Sequence, residues 1–336
     1  MIELLIFTII MALVFDFLNG FHDSANAIST IVATRVLTPM QAVAMAAVGN
    51  LIGPLFFTTA IAATIGKGII DTKTIQQLLP QELFIVMILS ALGGAILWNI
   101  LTWYFGIPVS SSHALIGGLI GAAMIAVGPN ILVMDGIIKV LIFIVVSPLL
   151  GFVSAFLLGL VFMRIFRKNS PEKINQWFRK LQIISAFFYS VTHGTNDAQK
   201  TMGIITILLI VGGFLTAFEI PIWVVLACHT AISLGTGLGG WRIVKTMAHK
   251  ITQLKPYQGF CAETAGGVVL VQMASLGIPV STTHAIAGAI MGVGSTKNQK
   301  SVRWGLSKNI VIAWIITIPF SALVAAGTFF IIHRFI

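Results

Sequence analysis

The chain has 336 residues, of which 57% are hydrophobic and only 9% charged, with a mean hydropathy of +1.00. Soluble domains carry about 25% charged residues, so the composition excludes an ordinary soluble protein and points to the membrane. The net charge of +10 would suggest nucleic acid in a soluble chain. Here the basic residues lie mostly between apolar runs, as positive-inside topology requires, and no nucleic-acid partner is expected.

A bilayer span needs about 20 apolar residues, and its backbone must satisfy itself, so such runs are helices. Taken in order, they fall at residues 2–18, 25–36, 42–65, 83–105, 115–127 and 137–163. A basic linker follows at 164–182, where six Lys and Arg stand against Glu172 alone. It holds an amphipathic stretch beginning at Pro171. Further runs occupy 183–191, 202–218, 222–238, 259–276, 285–293 and 310–332. The N-terminus lacks a basic n-region and enters an apolar run at once, so no cleavable signal peptide is expected. Cys228 and Cys261 lie in apolar surroundings without metal spacing and read as packing residues. Sequence leaves a disulfide between them open.

Two motifs occur twice, in the same order. Asn19-Gly-Phe-His-Asp-Ser-Ala-Asn26 returns as His193-Gly-Thr-Asn-Asp-Ala-Gln-Lys200, with Gly194 matching Gly20 and Asp197 matching Asp23. Gly106-Ile-Pro-Val-Ser-Ser-Ser-His-Ala114 returns as Gly277-Ile-Pro-Val-Ser-Thr-Thr-His-Ala285. The chain is therefore an internal duplication, with an N-terminal repeat at 1–163 and a C-terminal repeat at 183–336. Duplicated halves with a midplane site are a recurrent transporter plan. Five spans plus a re-entrant hairpin per half make an odd count, so the second half is expected to be inverted. The fold class is then an all-α integral membrane protein of two inverted repeats, with the linker in the cytoplasm and both termini outside. The basic loop at 242–255 would fall outside, against the charge rule.

The second motif has a physical logic. Pro108 and Pro279 stop a continuing helix. The hydroxyl runs Ser110, Ser111, Ser112 and Ser281, Thr282, Thr283 then open short apolar helices over 115–121 and 286–291. A helix N-terminus offers free N–H groups and a positive partial charge to an anion, and the hydroxyls add donors. Two such tips facing each other would cup a tetrahedral anion. The competing reading is N-capping, with the hydroxyls bonded back to their own helices. Close packing around the tips is expected from their glycines.

Asp23 and Asp197 would repel a bound anion unless each holds a cation that travels with it. Asn26, Asn196 and Gln199 offer either oxygens to that cation or amide donors to the anion. Lys200 either neutralises Asp197 or joins the anion ligands. His22, His113, His193 and His284 lie inside the motifs and suit proton transfer or structural hydrogen bonds; zinc spacing is absent. Glu263, in an apolar segment, is a functional candidate by default. Asp16 stands between an interfacial and a functional role, while Asp71, Glu82 and Glu219 read as solvated.

Together the four motifs resemble those of the inorganic phosphate transporter (PiT) family, over almost the whole chain. The resemblance implies secondary active uptake of inorganic phosphate driven by a cation gradient, with the two hairpins meeting at the phosphate. It places Asp23, Asn26, Asp197, Asn196 and Gln199 at the substrate and ion sites, together with the two hydroxyl runs. Glu263 matches a family position tied to transport. His22 replaces the Asn of many sodium-coupled members, and its spelling also resembles bacterial members described as proton-coupled. Asn50 aligns with an acidic position of animal members.

The expectation is a sodium-coupled phosphate symporter of the plasma membrane working by alternating access. Sodium would sit at Asp23, Asn26, Asp197, Asn196 and Glu263, because oxygens around the carboxylates suit a hard cation. Phosphate would sit at the hydroxyl runs with Asn26, Asn196, Gln199 and Lys200. No cofactor is expected, and the Phe-rich, Gly-rich surface would allow a homodimer. The alternative is a proton-coupled carrier of phosphate or metal–phosphate. Sulfate carriage, a channel and a membrane enzyme are further rivals; no nucleophile–base pair supports the last.

Overall fold

The computed structural model describes residues 1–55 and 60–335. Among these it is helical, without strands. In the first half α1 spans Ile2–Ala33, α2 Pro39–Ile52, α3 Ala60–Lys67, α4 Thr72–Leu78, α5 Gln81–Phe105, α6 Ser111–Ala126 and α7 Met134–Ile165. In the second half α8 spans Pro171–Val211, α9 Ile222–Leu238, α10 Trp241–Lys245, α11 Pro256–Ser275, α12 Thr282–Ser295 and α13 Trp304–Ile332. Part of the run expected at 42–65 falls at 56–59, outside the described residues. Among the described residues, α1, α5, α7 and α13 are each long and apolar enough to cross a membrane.

Local chemistry sets the ends. Thr38 and Gln41 form a capping box before α2, with Pro39 at its first turn. Ser170 caps α8, and Pro171 opens it. The linker and the second repeat are thus continuous, since α8 begins at Pro171 and runs 41 residues without a break. α5 stops at Gly106 and the chain after α11 turns at Gly277, each at φ +65°, a left-handed conformation that glycine alone adopts without strain.

Two expectations are corrected here. The run at 2–18 and most of that at 25–36 are one helix ending at Ala33, and the run at 183–191 and the first part of that at 202–218 are one helix ending at Val211. The dip in hydropathy at each carboxylate motif is not a break, and several of its polar side chains find partners on other helices, as Asn26 and Asp197 do on α12. Gly20 faces the backbone of Ile232, and Gly194 faces Asn50, each too close for a Cβ. The hairpin helices are also longer than the 115–121 and 286–291 cores, at 16 and 14 residues.

α1 and α8 carry the matched motifs and run antiparallel. Leu5 packs on Gly212 at one end, while Arg179 donates to the Arg35 carbonyl at 2.9 Å at the other. The last helix of each half covers the hairpin helix of the other. Gly117 and Gly121 of α6 lie on the backbone of α13 at Ile318 and Ala322; Gly288 and Gly292 of α12 lie on α7 at Pro148 and Phe152. Small residues one turn apart permit this approach, which maximises van der Waals contact where no hydrophobic force separates helix from lipid. This reciprocal packing fits inverted repeats.

The N-terminus lies at the same end as Glu82 and Gly212, and α13 ends there too. Of the Lys and Arg residues only Lys67, Lys73, Lys139 and Arg334 lie at this end, with Glu3, Asp71, Glu82, Asp135 and Glu219. Lys200 is central and Arg242 donates to the Tyr104 carbonyl beside the first hairpin tip at 2.6 Å, while most of the remaining bases gather at the linker end. The basic loop at 242–255 lies there as well, because α9 and α10, bent by 59°, together carry the chain to it. Lys255 and His249 share a cavity of about 660 Å³ with Lys297, Lys300 and Arg303. The expected conflict with the charge rule therefore disappears.

Candidate functional site

The two hairpin tips meet at the centre of the molecule. Ser110 and Ser281 each accept from the backbone N–H three residues on, His113 and His284, at 3.2 Å. N-capping therefore uses the first hydroxyl of each run and leaves the next two. Ser112 takes the ammonium of Lys200, and Ser111 Oγ is buried without a partner. Thr283 donates to the Val109 carbonyl of the other tip at 3.0 Å. The His113 and His284 rings stand edge to face at 4.8 Å.

Asn26, on α1, donates to Thr283 Oγ1 at 2.9 Å and Thr282 Oγ1 at 3.3 Å. Its own carbonyl oxygen is unpartnered, as is that of Asn196. Asn196 otherwise bonds its own helix, donating to the Thr192 carbonyl at 2.8 Å. Thr282 Oγ1 donates to Asp197 Oδ2 at 3.1 Å. Asp197 is also ion-paired to Lys200, whose ammonium lies 3.5 Å from the Val280 carbonyl. Ligand atoms of Asp23, His193 and Asp197 lie within 4.8 Å of one another. The sequence motifs from both halves thus converge on one cluster.

The histidines frame it. His22 Nδ1 lies 2.8 Å from Asp23 Oδ1, and Nε2 lies 3.1 Å from Thr102 Oγ1. The Thr102 hydroxyl donates to the Trp98 carbonyl at 2.8 Å, so it accepts from Nε2. His22 thus bridges Asp23 and Thr102. His193 Nδ1 donates to Asn50 Oδ1 at 3.2 Å, and Nε2 stands 3.2 Å from Asp197 Oδ2. Asn50 thus reaches the site through His193.

Two expected residues lie apart. Gln199 accepts from the Ile61 N–H at 2.9 Å and donates to the Thr195 carbonyl at 3.1 Å, so it anchors α3 to α8. Glu263 accepts from Gln182 Nε2 at 2.9 Å and from the Ser185 hydroxyl; Thr34 donates to Gln182 Oε1 at 2.8 Å. This second polar cluster lies toward the linker end. Sequence reasoning missed Trp314 on α13. It stacks on His284 at 3.9 Å and donates to the Pro108 carbonyl at 3.0 Å, fastening both tips. No motif marks it. It also missed Thr102, which holds His22.

None of Asp23, Asn26, Asp197, Lys200 and the hydroxyls of the tips is more than 3% exposed. The site is buried inside the protein. The partner-free Ser111 hydroxyl, the neighbouring hydroxyls and the Asn26 amide stand beside carboxylates and the free carbonyls of Asn26 and Asn196, a set of groups that suits an oxyanion and a hard cation together.

Helices of spanning length around an occluded two-sided polar site define a membrane transporter. Residues 19–325 match the phosphate transporter family. The chain is 54% identical over 328 residues to the probable low-affinity inorganic phosphate transporter of Rhizobium meliloti (strain 1021), covering 97% of this chain and 96% of that one. It is 46% identical over 331 residues to the protein of the same description in Bacillus subtilis (strain 168), covering 98% and 97%. A solved structure described as the sodium-dependent phosphate transporter superposes with a TM-score of 0.91 at 25% identity, covering 99% of this chain and 100% of that one. The chain belongs to the phosphate transporter family, whose members named here are transporters and not enzymes.

Proposed function

We propose that this phosphate transporter is a sodium-coupled symporter working by alternating access, with phosphate and Na⁺ as its transported ions. The observation that carries this reading is the meeting of Asp23, His193 and Asp197 within 4.8 Å, beside two hydroxyl-bearing helix tips. Two unit charges 4 Å apart interact by about 4 kcal/mol at an effective dielectric of 20. Asp197 already carries the Lys200 ammonium, but Asp23 has no fixed counter-cation, so phosphate beside it is repelled and a cation that cancels its charge is needed first. The free carbonyls of Asn26 and Asn196 complete a hard-cation shell. The Ser111, Ser112, Thr282 and Thr283 hydroxyls, the Asn26 amide and Lys200 then face the phosphate oxygens. Loaded, the site is near neutral and turns between facings at lower electrostatic cost.

Gln199 and Glu263 act at a distance in this scheme, Glu263 toward the linker end. Positive-inside charge supports a cytoplasmic linker end in the plasma membrane. The close contact of the His22 ring with Asp23 favours the proton-coupled reading as the rival. Uptake of ³²P-phosphate into proteoliposomes decides between them. An inward Na⁺ gradient at matched pH drives uptake if the reading holds; uptake with an inward H⁺ gradient alone, and none with Na⁺, overturns it.

A further inference from the structure

Two turns before Asp23, on the same face of α1, stands a carboxylate that the phosphate site does not use. Asp16 is fully buried, and neither of its oxygens has a hydrogen-bond partner. Asn19, one turn on toward Asp23, is 1% exposed, and both ends of its amide are unpartnered. Thr201 reaches Asp16 from α8, also fully buried with its hydroxyl unpartnered. Cys228 on α9 closes the third side. The charged groups nearest to it are Asp197 and Lys200 on α8, which are paired to each other. α2 presents no titratable group, and those of α5, Glu82 and Tyr104, lie at its ends.

An ionised carboxylate whose nearest donors, the Thr201 hydroxyl and the Cys228 thiol, do not reach hydrogen-bond geometry costs several kcal/mol in such a place. The cost is not inherited from the duplication. The matching position in the second half is Ser190, whose hydroxyl bonds the Ala186 carbonyl at 2.8 Å. Glu263, the other buried acid outside the centre, has both oxygens satisfied. Asp16 therefore calls for an occupant. A hard cation takes about six oxygens, while Asp16, Asn19 and Thr201 offer four at most and the remaining wall holds the Cys228 sulfur. A proton needs only one oxygen. The two free ends of Asn19 meet either form, the amide donating to the carboxylate and the carbonyl accepting from the acid.

We propose that Asp16 is a proton-coupling carboxylate, separate from the phosphate site, on the side of the site toward the termini. Hydronium from that face gives its proton to an Asp16 oxygen, leaving water and a neutral acid. The reverse transfer to water, once the site has changed facing, restores the carboxylate. This role rests on the alternating-access reading and adds a proton to the ions held at Asp23 and Asp197. Asn19 and Thr201 are positioning residues.

The test uses the full chain in proteoliposomes at equal Na⁺ on both sides. Two quantities are read: ³²P-phosphate counterflow without any gradient, and the acceleration of net uptake by an inward acid gradient. Wild type shows both. Asp16→Asn keeps counterflow and loses the acceleration, and Asp16→Glu regains it with a shifted pH midpoint. The proposal is overturned if wild type shows no acceleration, if Asp16→Asn retains it, or if Asp16→Asn loses counterflow as well. Should Asp16→Asn fail to fold, an unchanged midpoint in Asp16→Glu overturns it and a shifted one supports it. Wild type without counterflow brings down the transporter reading instead.

Discussion

Asp23 and Asp197 hold matched positions on antiparallel helices, yet their charges are handled differently. Asp197 is locked to the ammonium of Lys200, which also reaches Ser112 on the first tip. Asp23 has no fixed cation; Asn26 stands where Lys200 does in the other copy and turns to Thr282 and Thr283. Its partners are His22 and, at 3.4 Å, the Thr283 hydroxyl. Duplication set the geometry, and one exchange of Asn for Lys decided which copy carries a permanent counter-charge. In the proposed mechanism it is the first copy that binds and releases a mobile cation.

The largest expected effect comes from separating the two carboxylates. Asp23→Asn lowers the initial rate of phosphate uptake by at least about 100-fold, from the loss of about 3 kcal/mol of charge interaction at close range. Its thermal unfolding in detergent stays near wild type. Asp197→Asn strands Lys200 without a counter-charge, and breaking a buried pair in this way costs about 3–5 kcal/mol. That variant loses stability and uptake together. Equal melting losses in the two variants would break the comparison.

The smallest effect belongs to a carboxylate with ordinary partners. Asp71 caps α4, accepting from the Thr74 hydroxyl at 2.6 Å and from the Lys73 and Thr74 N–H groups at 3.2 Å. These bonds hold its carboxyl below the usual carboxylate range. A folded value below the unfolded one means that its stabilisation is complete above the unfolded range and is lost as pH falls through the folded value. Asp71→Ala costs about 0.5 kcal/mol at neutral pH, at the low end for a cap because solvent screens it. The gap between variant and wild type closes in acid, and phosphate uptake is unaffected. A pH-independent gap in unfolding midpoints would show that Asp71 acts through packing.

Much of this arrangement was legible in the chain. Paired motifs revealed the duplication, and proline followed by hydroxyls located both helix tips. The continuity of α1 and α8 was not legible, because hydropathy registers the polar residues but not the remote groups that satisfy them. Asn26 and Thr283 meet across 257 positions of sequence. Gln199 had the right chemistry for the site, but the Ile61 N–H claims it. The linker charge was visible, whereas the route of the 242–255 loop depends on the bend after α9. The isolation of Asp16 appears only once three helices are packed around it.

The most direct test of the central claim measures phosphate binding to purified wild type and Asp23→Asn by calorimetry, with and without Na⁺ at one pH. Linkage requires that Na⁺ strengthen phosphate binding by the factor by which phosphate strengthens Na⁺ binding. Wild type is expected to bind phosphate measurably only with Na⁺, and Asp23→Asn to lose that dependence. Phosphate binding of equal strength in both proteins, with or without Na⁺, would contradict the account.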